Sequence, residues 1–192
     1  MTDRMSRWSK EASALDGFMQ GPISSVPQTD MFRIGHYGVA LLVYTPLGVH
    51  IAVTLSEFVA IVGAVVCVAL TMLPDVDQRL PGIAHRGPTH SIAFALAVGF
   101  GLAGVVRIGI ETIVPTIPPE VVTVAFAVGC CAIGSHLLAD ALTPRGVRPF
   151  WPIWNRTVSV HLTRASNPIA NYLLFGLGIV VAITALHAVI GV

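Results

Sequence analysis

Charge is scarce in this chain. Only 11% of its 192 residues are Asp, Glu, Lys or Arg, and 54% are hydrophobic. A soluble domain carries about 25% charged residues, so an ordinary water-facing surface is excluded, and lipid is the expected solvent for much of the chain. Basic stretches interleaved with aromatics are also missing, and the formal net charge is +1. Nothing here speaks for nucleic acid as a partner. The three cysteines, Cys67, Cys130 and Cys131, lie inside apolar runs without CxxC spacing. That reads as packing rather than disulfide or metal chemistry. The N-terminus has Arg4, Arg7 and Lys10 but no apolar stretch behind them, so a signal peptide is not expected. Residues 1–30 read as a disordered tail, with a short helix around Trp8 to Met19, and residues 31–192 as one membrane-embedded domain.

What the chain has in quantity is apolar length. Five runs follow the tail: Phe32 to Leu55 with Pro46 as a kink, Glu57 to Leu73, Thr89 to Ile110, Val121 to Asp140, and Pro168 to Ile190. Each approaches the roughly 17–25 residues that cross a bilayer as a helix. They are too long for strands and lack a period of two. A soluble bundle would need a polar face on each helix, and these runs have almost none. The fold class read from this is all-α: a polytopic membrane protein with about five transmembrane helices. Ser56 is a plausible N-cap for the second run, and Pro168 suits the first turn of the last. Gly99, Gly101, Gly104, Gly129 and Gly134 suit close helix packing.

Five spans place the tail, the Pro74–Pro88 loop and the Ala141–Asn167 loop on one side. That side holds Arg4, Arg7, Lys10, Arg33, Arg79, Arg86, Arg145, Arg148, Arg156 and Arg164, and Arg107 alone falls near the other. The asymmetry predicts a cytoplasmic location for the N-terminus and the polar loops.

The ionisable residues sort to the same side. His36 opens the first span and Asp75 and Asp77 close the second. His85 and His90 precede or open the third, and His136 and Asp140 close the fourth. Helix ends at one membrane face can converge. His136 and Asp140, four apart, share a helix face. Ionisable groups in membrane segments are costly and are functional candidates by default. Imidazole and carboxylate together suit a divalent metal, zinc first, with manganese or iron as options. Seven such groups exceed what one tetrahedral zinc uses, so two or more ions are expected. Bound divalent metal lowers the pKa of water and can hold phosphoester oxygens.

Around these, Arg86 lies between two candidate ligands and is assigned to a substrate anion. Asp77 is a further ligand or the general base. Thr89 and Ser91 flank His90 and either orient it or cap the third helix. Thr143 sits in a turn just after Asp140 and is grouped with them. His50 and His187 read as interfacial on the opposite face. His161 is on the correct side without a telling spacing. The Phe150-Trp151-Pro152-Ile153-Trp154 run reads as an interfacial belt.

Leu73-Pro74-Asp75-Val76-Asp77, His85-Arg86-Gly87-Pro88-Thr89-His90-Ser91, and Ser135-His136-Leu137-Leu138-Ala139-Asp140 followed by Thr143-Pro144-Arg145-Gly146 come in an order that resembles the YdjM-like family. Gly35-His36 and Trp151-Pro152 add to the likeness. These are bacterial and archaeal inner-membrane proteins described as metal-dependent hydrolases. The resemblance implies His36, Asp75, Asp77, His85, His90, His136 and Asp140 as the polar motif positions. The His136-x-x-x-Asp140 spacing is also similar to ligand pairs of zinc-dependent phospholipase C enzymes. Two departures stand out. Relatives often carry an acidic residue near the start of the last helix, where this chain offers only Asn171, and often a His where it has Gln78. The expected activity is metal-dependent hydrolysis at the cytoplasmic face, on a phosphoester of a lipid or other amphiphile delivered from the bilayer. A divalent-metal transporter or sensor, or a structural metal site serving a partner protein, remain the alternatives.

Overall fold

The computed structural model describes residues 32–79, 86–110, 112 and 118–191. The tail expected over residues 1–30 and the candidate ligand His85 lie outside the described residues. Five α-helices carry the fold: α1 (Arg33–Thr54), α2 (Glu57–Leu70), α3 (Ile92–Val105), α4 (Pro119–Ala141) and α5 (Pro168–Ile190). With the short turns that prolong α2 and α3, all five are long and apolar enough to cross a membrane. Among the described residues there is no strand, only an isolated antiparallel bridge between Val147 and Val158.

Local sequence explains where the helices start. Ser56 caps α2 by accepting from the Val59 amide at 3.2 Å. Ser91 caps α3 by accepting from the Phe94 amide, and its own hydroxyl donates to the Pro88 carbonyl. Asn167 caps α5 ahead of Pro168, where the missing proline N–H leaves no bond unmade. α1 runs unbroken through Pro46. The second and third spans are not α-helical to the expected limits. α2 stops at Leu70 and continues as a 3₁₀ turn over Pro74–Arg79, and a second 3₁₀ turn, Pro88–His90, precedes α3. Prolines at 74 and 88 lack the amide an α-helix would need.

α1 packs along α5 and also meets α2 and α4, while α3 packs on α4. α4 is the most buried of the five. Two glycine seams set the closest approaches. A Cβ on Gly38 would lie 2.5 Å from the Leu174 backbone, and one on Gly178 would lie 2.6 Å from the Gly38 carbonyl oxygen. Between α3 and α4, a Cβ on Gly129 would lie 2.8 Å from Gly99 Cα. Gly101, Gly104 and Gly134, expected to serve the same purpose, face open space. Polar links join helices at chosen heights. Tyr44 donates to the Ala60 carbonyl at 2.7 Å, and Thr71 donates to the Ala132 carbonyl at 3.0 Å and meets the Ser135 hydroxyl.

Gly38→Ala pushes a methyl against backbone that cannot yield. Overpacking of this kind costs about 1–3 kcal/mol, so the thermal midpoint in detergent falls. Gly101→Ala, with open space beside it, gains helix propensity of about 0.5–1 kcal/mol and holds or raises the midpoint. Equal midpoints for the two variants would rule out the α1–α5 seam.

Candidate metal centre

Four chain segments deliver ionisable side chains to one end of the bundle. His36 comes from the first turns of α1, Asp75 and Asp77 from the 3₁₀ turn after α2, His90 from the 3₁₀ turn before α3, and His136 and Asp140 from the last turns of α4. His36, His90, His136, Asp77 and Asp140 are all buried, at 0–2% exposure. Asp75 is the open one, with its side chain 19% exposed. Gln78 donates to Asp75 Oδ1 at 3.2 Å.

The distances are informative. His90 Nε2 and His136 Nε2 are 3.2 Å apart. Asp75 Oδ1 lies 3.7 Å from His90 Nε2 and 3.6 Å from His136 Nε2. Asp140 Oδ2 lies 3.5 Å from the first and 3.7 Å from the second. His36 Nε2 is 3.7 Å from Asp140 Oδ1, and its ring stacks on His136 at 4.4 Å. Carboxylate contacts of this length are too long for charge-assisted hydrogen bonds, which run at about 2.7–2.9 Å. They match the edges of a coordination polyhedron instead. Ligand bonds of about 2.0–2.2 Å place tetrahedral donors about 3.3–3.6 Å apart. Two overlapping sets, His36–Asp75–His136 and His90–His136–Asp140, each have donor atoms within 4.8 Å of one another.

The tautomers follow from the partners. Thr89 Oγ1 donates its one proton to Asp77 Oδ2 at 2.6 Å. Its 3.0 Å contact with His90 Nδ1 is therefore a bond donated by the ring N–H. Asp77 Oδ2 stands 3.4 Å from the same nitrogen. His36 Nδ1 likewise faces the Phe32 carbonyl at 3.4 Å, which can only accept. Both rings thus present an Nε2 lone pair to carboxylate oxygens. His36 Nε2 and Asp140 Oδ2 are buried with no hydrogen-bond partner among the described residues. Lone pairs and carboxylates held face to face suit a cation between them.

Residues 31–191 match the family model of the YdjM inner membrane protein. The chain belongs to the YdjM inner membrane protein family. No curated protein and no solved structure matches it. Within this YdjM-family chain, the expected site residues fall into distinct places. His36, Asp75, His90, His136 and Asp140 converge. Asp77 stands behind His90, on the ring nitrogen remote from the cluster. Arg86 is buried with φ +62°, and its Nη2 donates to Asp140 Oδ1 at 2.8 Å while Nη1 donates to the Gly146 carbonyl. Thr143 is buried behind the end of α4, donating to the Asp140 carbonyl at 2.8 Å. Ser91 serves as the α3 cap. His50, His161 and His187 are exposed, and the site draws on none of them. Gln78, noted above only as a departure from the family pattern, holds Asp75. One contributor escaped the sequence reading: Ser159 donates to the Thr143 carbonyl at 2.6 Å, and it has no periodicity or motif of its own to mark it.

Arg86→Met leaves Asp140 buried beside other acceptors. Stranding one partner of a buried ion pair costs about 3–5 kcal/mol, so metal-stripped protein should melt well below wild type, and Arg86→Met/Asp140→Leu should recover much of the loss. A single variant that melts with wild type would show that the pair carries no weight.

Proposed function

We propose that this protein is a membrane-embedded, metal-dependent hydrolase whose site faces the cytoplasm and acts on a phosphoester of a lipid or other amphiphile. The observation that carries the reading is the set of Nε2 lone pairs and carboxylate oxygens separated by 3.2–3.7 Å. The carboxylate–imidazole separations, 3.5–3.7 Å, suit ligands of shared ions better than they suit mutual hydrogen bonds. His36, His90, His136, Asp75 and Asp140, in two overlapping sets, would hold one ion or two, zinc by the nitrogen-rich donor set, with manganese or iron as substitutes. When bound, a divalent ion supplies Lewis acidity and lowers the pKa of water near it.

The chain's own residues divide the remaining work. Thr89 and Asp77 fix His90 with its Nδ1 proton turned away from the centre and its Nε2 free to ligate. Asp77 is in this reading a positioning residue rather than a ligand. Arg86 and Thr143 fix Asp140 from behind. Asp75 is the carboxylate that solvent reaches, so water and substrate enter on its side. That open edge favours catalysis over a closed structural site. The cluster lies at helix ends, whereas transporter sites lie near the bilayer midplane.

Elemental mass spectrometry on detergent-purified protein tests the centre. Wild type should retain at least one equivalent of zinc or manganese, and His136→Ala should lose it. Thr89→Val should bind the metal about 10–100-fold more weakly, and Thr89→Ser should restore it. Wild type that stays empty after reconstitution, or His136→Ala that keeps full metal, would end the metal reading. For orientation, alkaline phosphatase fused after the last helix should be active, since the fifth span ends outside the cell. An inactive fusion that is present at normal levels would invert the topology.

A further inference from the structure

Beside the metal centre lies a second cavity, of about 260 Å³, lined by Arg86, Arg145, Gly146, Val147, Arg148 and Thr157. Three of the six described residues that line it are arginines, and none of the six is acidic. The chain has only 11 Lys and Arg in all, so this is a concentration of positive charge. The backbone holds it in shape. Val147 and Val158 exchange amide–carbonyl bonds of 3.0 and 2.8 Å, which sets Thr157 across from the arginine-bearing stretch. Gly146, at φ +64°, makes the closure possible, because a Cβ there would lie 2.5 Å from the Val158 carbonyl oxygen. Arg148 Nη2 donates to the Arg86 carbonyl at 3.4 Å, tying the loop to the arginine that holds Asp140. The fork geometry of guanidinium groups matches phosphate oxygens.

We propose that this cavity binds a phosphate-type anion. As a substrate pocket, holding the phosphoryl group of an amphiphile beside the metal centre, it rests on the hydrolase reading; as an anion site it does not. Arg86 connects the two, since it lines the cavity and also donates to Asp140. The amphiphile is favoured by the loop that carries the pocket. It exposes Phe150, Trp154 and Ile153, the last at 95%, and Arg156 lies 5.4 Å over the Trp154 ring. Aromatic side chains of this kind settle at the headgroup level of a bilayer.

The test uses full-length protein in detergent, with and without added zinc, and two probes, inorganic phosphate and dodecyl phosphate. Wild type should bind both by equilibrium dialysis. Arg145→Gln and Arg148→Gln should each weaken binding about tenfold or more, as expected for losing a hydrogen bond to a charged group, while metal content stays at the wild-type level. Arg145 is exposed, so its variant keeps the test valid if Arg148→Gln loosens the loop. Tighter binding of dodecyl phosphate supports the pocket with an amphiphile as its source. Equal binding of both probes supports it with soluble phosphate as the source. Binding unchanged in both variants, or no binding of either probe by wild type, overturns it even if the metal centre is intact. Arginine-dependent binding in protein that holds no metal keeps the pocket and removes only its link to hydrolysis.

Discussion

The structure depends on how ionisable side chains are kept at one end of an apolar bundle. His36, His90, His136, Asp77 and Asp140 are almost completely out of contact with solvent. Leaving such groups unpaired costs several kcal/mol each, so whatever solvates them also dictates how four helix ends meet. Part of the answer is visible in the protein itself. Arg86 pairs with Asp140, and Thr89 pairs with Asp77. The remainder, the inward-facing Nε2 atoms with Asp75 and Asp140, is where a cation is the natural partner. The two halves are linked, because the groups that satisfy the aspartates from behind are the ones that turn their free oxygens and nitrogens inward.

This division was only partly legible in the sequence. The five spans were, because apolar runs of bilayer length flanked by charge have few other readings. The convergence of His36, Asp75, His90, His136 and Asp140 was legible too, since two spans, an even number, separate the tail from the first polar loop and that loop from the second, which puts those helix ends on one side. The separate roles of Asp75 and Asp77 were not. Two residues apart in an irregular loop can point anywhere. In the 3₁₀ turn that forms, at three residues per turn, they face different sides: Asp75 meets the Nε2 atoms of His90 and His136, and Asp77 meets His90 Nδ1. Arg86 shows the same limit. Its place between two candidate ligands reads as an anion binder, and the sequence does not show that the left-handed backbone at that residue also brings its guanidinium against Asp140. Turn geometry of this kind leaves no periodic trace.

The substitution at the start of the last helix is instructive. Where the family resemblance implies an acidic residue, Asn171 is fully buried and its amide donates to the Ala165 and Asn167 carbonyls. An amide can both donate and accept, whereas a carboxylate could not donate to those carbonyls. In this chain the position therefore supports the α5 N-terminus, and the donor set stands on α1, α4 and the two 3₁₀ turns. The cluster does not need α5 for ligands. It needs α5 as a wall, because α5 closes the side of α1 through the Gly38–Gly178 contact.

That contact connects packing to chemistry. Apolar helices in lipid can slide with little change in hydrophobic energy, since one aliphatic neighbour replaces another. A donor set drawn from separate segments cannot tolerate this, because ligand positions must be held within about 0.5 Å. Register here is fixed by features that do not slide. The glycine seams allow backbone contact at only one height. Thr71 bonded to Ala132 and Ser135 pins the end of α2, and so the turn bearing Asp75, one helical turn from His136 on α4. The Ile92 amide bonded to the Pro149 carbonyl at 2.8 Å pins the start of α3, and so His90, to the loop that follows Asp140. Each anchor lies within a turn or two of a ligand-bearing residue. Anchors of this kind are thus placed where positional error at the centre would be most damaging, and farther along the bundle the Tyr44–Ala60 bond joins the apolar packing of α1 against α2.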